Sequence, residues 1–209
     1  MAGSAVFGPG GVGKTRLALE VAAVCEPLFL NGVWFTSLSA IQRSDADGVA
    51  LALADTLGFA LTGPTTPKAQ VLAYLQQREM LLILDNMETV NDGAAWLSEV
   101  LTQAPGVTIL ATSRERLNLQ AEQVYLLEGL PVPMPAAAEA QAFAAIQLFT
   151  QCARRVQPDF DLTAAELGAA VRICRAVQGL PLGIELAAAW VHQLSCVEIA
   201  DEIERSLDF

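Results

Sequence analysis

Apolar positions in the first 130 residues fall into short runs separated by stretches of helical spacing. Residues 4–7 and 33–38 read as strands, the second introduced by the turn pair Asn31-Gly32. Residues 80–84 (Met-Leu-Leu-Ile-Leu) and 107–112 are continuous apolar runs, as expected of strands covered on both faces. Residues 123–127 make a fifth. Between them lie helical patterns: one after residue 15 with Leu17, Val21 and Val24 as its apolar stripe, one over 46–57 ended by Gly58, one from Thr66-Pro67 to about Arg78, and one from Asp92 to Gln103. Alternation of this kind predicts a parallel sheet with helices on both faces.

The pattern changes at residues 129–135, where Pro131, Pro133 and Pro135 mark a stiff connector. Beyond it everything reads as helix. Residues 136–156 carry Phe143, Ile146, Phe149 and Ala153 on one side. Thr163 with Glu166, and Ser195 with Glu198, have the spacing of capping boxes, flanked by the staple pairs Leu162/Leu167 and Leu194/Ile199. Gly179 ends one helix and Pro181 opens the next, which runs to Trp190. The expected organisation is an α/β domain over residues 1–130 and a small all-α domain over 136–209.

Composition narrows the function classes. A formal net charge of −11 argues against nucleic-acid or anionic-membrane binding through bulk charge. The four cysteines are far apart in sequence and form no metal-ligand spacing, which fits free thiols in a reducing cytoplasm. No apolar stretch has the length of a membrane span.

The chemistry begins at Gly8-Pro9-Gly10-Gly11-Val12-Gly13-Lys14-Thr15, a match to GxxxxGK[ST] between a strand and a helix. Glycines let the backbone curl so that N–H groups point at phosphate oxygens, and the helix that follows adds the positive end of its dipole. Lys14 is the candidate ligand of the β- and γ-phosphates, Thr15 of Mg²⁺, and Arg16 extends the binding segment. Asp85, ending the buried run at 80–84, is the second candidate Mg²⁺ ligand; its rival role is a turn cap. Glu88 is the nearest carboxylate able to activate water, against a plainer role at a helix entry. Arg114, in Thr112-Ser113-Arg114, follows another buried strand at the sheet edge where ligands of open α/β sheets bind, and is the candidate sensor of a γ-phosphate. Arg116 and His192 read as surface residues.

The glycine-rich loop, Leu81-Leu82-Ile83-Leu84-Asp85-Asn86, Ala111-Thr112-Ser113-Arg114 and Gly179-Leu180-Pro181-Leu182 occur in an order that resembles the NB-ARC (AP-ATPase) module of STAND-class signalling ATPases, in the flavour found in bacterial transcriptional regulators. The resemblance implies strand order 5-1-4-3-2, ATP or ADP with Mg²⁺ as ligands, and Pro181 near the adenine. It also implies a longer parent protein with further domains, including a winged-helix domain after the helical one, and nucleotide-dependent self-association. Many members carry an acidic pair where this chain has Asp85-Asn86, which points to slow hydrolysis rather than to lost binding. The expected function is a nucleotide-operated switch with weak ATPase activity; the rivals are a nucleotide-binding interaction module without hydrolysis and a small-molecule P-loop kinase.

Overall fold

All six residues of Met80–Asp85 are buried. In the computed structural model, which describes residues 3–90, 93–117, 122–134 and 139–207, they form the third of five strands: β1 (Gly3–Phe7), β2 (Val33–Ser37), β3 (Met80–Asp85), β4 (Val107–Ser113) and β5 (Glu122–Leu126). All neighbours are parallel and the order is β2-β3-β4-β1-β5. This is the expected 5-1-4-3-2 arrangement, with β4 between β1 and β3. Val6 pairs with Thr112 and Leu84 with Ala111, so the carboxyl ends of these three strands lie level with one another.

Alternation along the strands sends side chains to two separate cores. Leu82, Leu84, Ile109 and Ala111 pack with α2 (Ala46–Thr56), α3 (Pro67–Leu75) and α4 (Gly93–Gln103) through Val49, Leu53, Val71, Leu75, Leu97 and Val100. Leu81, Ile83 and Leu110 face the other way, onto Ala18, Val21 and Ala22 of α1 (Lys14–Cys25). The apolar stripe of α1 differs from the expected one. Leu17 and Val24 are exposed, while Ala18 is fully buried and Ala22 and Cys25 pack on the sheet. The rotation of the helix follows from Thr15, whose hydroxyl bonds to Asp85 of β3. Residues three, seven and ten positions on then face the sheet. Their small side chains allow close approach.

Local signals set most helix ends. Asp45 caps α2 by accepting from the Gly48 N–H at 2.9 Å, and Gly58, at φ +64°, terminates it. Thr66 caps α3 with Pro67 in its first turn. That helix ends at Leu75 rather than Arg78, because Glu79 is already held for the sheet. Its N–H donates to the Asn31 side chain and its carbonyl accepts from the Asn31 N–H, both at 2.8 Å.

Residues 128–209, together with 11–13, form a second compact unit; residues 1–10 and 14–127 form the first. The second contains α5 (Ala144–Val156), α6 (Ala164–Ala176), α7 (Pro181–Ala188) and α8 (Cys196–Leu207). Both capping boxes are present as reciprocal bonds, Thr163 with Glu166 and Ser195 with Glu198. Of the helix expected over residues 136–156, the described part begins with a 3-10 turn over Ala140–Ala142 and an extended Phe143, and is α5 from Ala144 on. Phe143 contributes its carbonyl as the cap, accepting from Gln147 N–H at 3.0 Å. The α7 helix stops at Ala188, and Trp190 donates to Ala187 in a tighter turn. Gly129 and Gly179 let two backbones touch. Leu130 N–H donates to the Gly179 carbonyl at 2.8 Å, and a Cβ on either glycine would come 2.1 Å from a carbonyl oxygen of the other segment. The expected starts at Asp92 and Ala136, and Pro135, lie outside the described residues. Among the described residues, no helix is long and apolar enough to cross a membrane, and no three His, Cys, Asp or Glu side chains gather as a metal cluster.

Candidate functional site

The chain leaves β1 at Phe7 and enters α1 at Lys14, so Gly8–Gly13 must reverse direction in six residues. Gly11 and Gly13 do so at φ +77° and +98°, a region that glycine occupies without a Cβ penalty. Val12 between them is buried. The Lys14 ammonium donates to the carbonyl oxygens of Gly8 at 2.8 Å and Pro9 at 3.0 Å. Burial pushes the Lys14 pKa below that of an ordinary lysine; Glu88 opposes the shift, Arg114 adds to it and Asp85 opposes it. Those causes place two carboxylates and a guanidinium within electrostatic reach of the ammonium.

Asp85 ends β3 and is only 5% exposed. Its Oδ1 accepts from the Thr15 hydroxyl at 2.8 Å and from the Thr112 hydroxyl at 2.6 Å. The Thr112 oxygen in turn accepts from the Asn86 N–H at 3.1 Å. A hydroxyl beside a buried carboxylate is an oxygen donor set of the kind Mg²⁺ takes, so Thr15 and Asp85 are the residues that would hold such an ion. Asn86 sits at φ +66°, a left-handed conformation that asparagine tolerates better than most residues. Asparagine thus suits the sharp turn out of β3.

Thr112 had no role in the sequence reading. The available signal was a hydroxyl residue at the end of a buried strand, next to the candidate sensor arginine. Replacement of Thr112 by Val would leave the part-buried Asn86 N–H without its acceptor and Asp85 Oδ1 with the Thr15 hydroxyl alone. We expect a loss of about 1–3 kcal/mol of stability, read as a lower urea midpoint with unchanged slope. An unchanged midpoint would contradict the bonding described.

Glu88 lies in the 3-10 turn Met87–Thr89, held down by the buried Met87. Both of its oxygens are engaged by Arg114. Oε1 is 3.2 Å from Arg114 Nε, and Oε2 accepts from the Arg114 backbone N–H at 3.3 Å. The Glu88 side chain is 18% exposed and that of Arg114 66%. A Cβ on Gly10 would lie 3.9 Å from Arg114 Cζ, so the guanidinium stands beside the glycine loop. The remaining candidates are more peripheral. Arg16 is exposed and pairs with Glu20 one helical turn on, at 2.8 Å. Arg116, expected to be simply solvated, lies over the Phe7 ring with Cζ 5.2 Å from its centre. Pro181 opens α7 in the second unit. His192 is exposed, its Nδ1 2.7 Å from the Ala189 carbonyl oxygen.

No family model matches the chain. Among curated proteins, one from Mycobacterium bovis named as a candidate HTH-type transcriptional regulator is 35% identical over 198 residues, covering 94% of this chain and 21% of the relative. The regulatory protein AfsR of Streptomyces griseus is 32% identical, over 98% of this chain and 20% of its own length. The chain thus spans about a fifth of these relatives. Among solved structures, Cdc6p from Pyrobaculum aerophilum matches with a TM-score of 0.59 at 14% identity, over 96% of this chain and 56% of that one. A signal transduction ATPase with numerous domains (STAND) and a tetratricopeptide repeat sensor, from Pyrococcus horikoshii, matches at 0.54 and 13% identity, over 98% and 30%. The fold is that of P-loop ATPases.

Proposed function

We propose that this chain is the ATP/ADP-binding switch module, of NB-ARC type, of a STAND-class regulatory ATPase with slow Mg²⁺-dependent hydrolysis in the cytoplasm. The observation that carries the reading is the contact of Thr15 and Thr112 with the single oxygen Asp85 Oδ1, directly beside the glycine loop. A buried carboxylate touching the first hydroxyl of the helix after such a loop suits a hydrated divalent cation attached to a triphosphate. In this reading the loop of Gly8, Pro9, Gly10, Gly11, Val12 and Gly13 cradles the phosphates and Lys14 neutralises them. Thr15 and Asp85 hold Mg²⁺, Arg114 meets the γ-phosphate, Arg16 flanks the phosphate end and Pro181 lies against the adenine. The bound nucleotide would set which conformation of the parent protein is favoured, since a ligand shifts an equilibrium by its differential affinity for the two states. Further domains of the parent, and self-association under nucleotide control, are the partners this reading calls for.

The experiment is a fluorescence titration with labelled ATP, in Mg²⁺ and in excess EDTA. Chelation should weaken ATP binding roughly tenfold or more, the effect of losing a charge-assisted contact. Equal affinity in both conditions would overturn the metal assignment. Binding without hydrolysis is the second reading, favoured by the engagement of both Glu88 oxygens. Steady-state phosphate release separates the two.

A further inference from the structure

By its place in the sequence Glu88 is the nearest carboxylate able to activate water. Its surroundings assign it different work. A general base must be placed to reach the proton it takes, and a carboxylate bonded through both oxygens to one arginine is held on that arginine. One oxygen of Glu88 faces Arg114 Nε at 3.2 Å and the other accepts the Arg114 N–H at 3.3 Å. Together they grip the arginine at its backbone and at the root of its guanidinium. The two terminal Nη groups make no hydrogen bond or ion pair among the described residues, and they belong to a guanidinium whose carbon is about 4 Å from where a Gly10 Cβ would stand. The Arg114 side chain is otherwise two-thirds exposed.

We propose that Glu88 is a positioning residue: it holds Arg114 so that the terminal amines face the glycine loop, and by this it sets the preference for a nucleoside triphosphate over a diphosphate. The proposal rests on the nucleotide-binding reading above. Its physical basis is pre-organisation. An unrestrained arginine must give up rotamer freedom when it meets a phosphate, whereas a held one has given it up already. Glu88 is itself anchored, since Met87 is buried next to it and the turn closes through the Thr89 N–H to the Asn86 carbonyl at 3.1 Å. Asp85 lies three residues upstream of Glu88, so one short segment would hold both the metal ligand and the grip on the phosphate sensor. Loss of the grip alters how the terminal phosphate is sensed and leaves the Asp85 contacts intact.

The test measures affinity for ADP and for a non-hydrolysable ATP analogue, in Mg²⁺, for wild type, Glu88→Ala, Glu88→Gln, Arg114→Ala and the double variant Glu88→Ala/Arg114→Ala. Glu88→Ala should lower the ATP-analogue over ADP ratio by about three- to tenfold, the span expected from one arginine's rotamer entropy. Glu88→Gln, which keeps an acceptor oxygen, should lose less. In the Arg114→Ala background the removal of Glu88 should change the ratio no further, because the effect passes through that arginine. An unchanged or raised ratio in Glu88→Ala would overturn the proposal, as would a full Glu88 effect in the absence of Arg114. Thermal unfolding verifies that each variant is folded, and Glu88→Gln carries the test where Glu88→Ala is not. Failure of the wild type to bind either nucleotide would overturn the nucleotide reading itself, an outcome distinct from the loss of the preference alone.

Discussion

Lys14→Ala is expected to weaken Mg-ATP binding by at least about a hundredfold while leaving the fold intact. The ammonium makes two short bonds, to the Gly8 and Pro9 carbonyls at 2.8 and 3.0 Å, so it is held inside the curl of the loop. A triphosphate seated there would offer it charged oxygens in place of neutral carbonyls. Hydrogen bonds to charged groups contribute about 1.5–3 kcal/mol each, and two of them correspond to a hundredfold or more in affinity. The cost in stability should be small. Alanine is a good residue for the first turn of α1, and the loop conformation rests on Gly11, Gly13 and the buried Val12. Fluorescent-nucleotide binding with a parallel thermal melt provides the measurement. Equal Mg-ATP affinity in wild type and variant would remove the assigned site.

The largest effect on stability is expected from Phe149→Ala. Phe149 is fully buried at the centre of the second unit, among Ile146, Ala170, Val171 and Ile184. Its ring meets that of Phe160 edge-on, with centroids 6.2 Å apart and planes at 72°. Truncation of a buried phenylalanine costs about 3–5 kcal/mol, including the cavity left behind, and the ring pair adds about 0.5–1.5 kcal/mol. A small domain is stable by about 5–15 kcal/mol in total, so the helical unit should lose most of its margin. Urea unfolding followed by circular dichroism should place the transition of the variant far below that of the wild type. A shift worth under about 1 kcal/mol would mean that Phe149 packs more loosely than its burial indicates.

The remaining contrast is between what neighbours in sequence decide and what distant residues decide. Both capping boxes, Pro67 and Pro181 at helix starts, and Gly58 at a helix end were legible because each is a demand of the local backbone, whereas the left-handed turn that ends α6 falls first on Gln178, at φ +53°, and only then on Gly179. The buried runs that became β3 and β4 were legible because a strand covered on both faces has nothing to alternate. The strand order came from the resemblance carried by four short motifs, and the sheet has that order. The rotation of α1 was only partly legible: of Leu17, Val21 and Val24, only Val21 packs on the sheet, and the bond from Thr15 to Asp85, 70 residues away, turns Ala18 and Ala22 inward beside it. The early end of α3 was missed because Asn31 claims Glu79 from 48 residues off. Thr112 as the bridge between Asp85 and Asn86, and Glu88 as the partner of Arg114, depend on β3 and β4 lying side by side in parallel. The sequence alone determined which residue types stand at the carboxyl edge of the sheet, because motifs and backbone preferences are short-range. Which of those side chains touch, and therefore which are free to act, was decided by the tertiary structure, because parallel pairing joins residues that the chain itself keeps far apart.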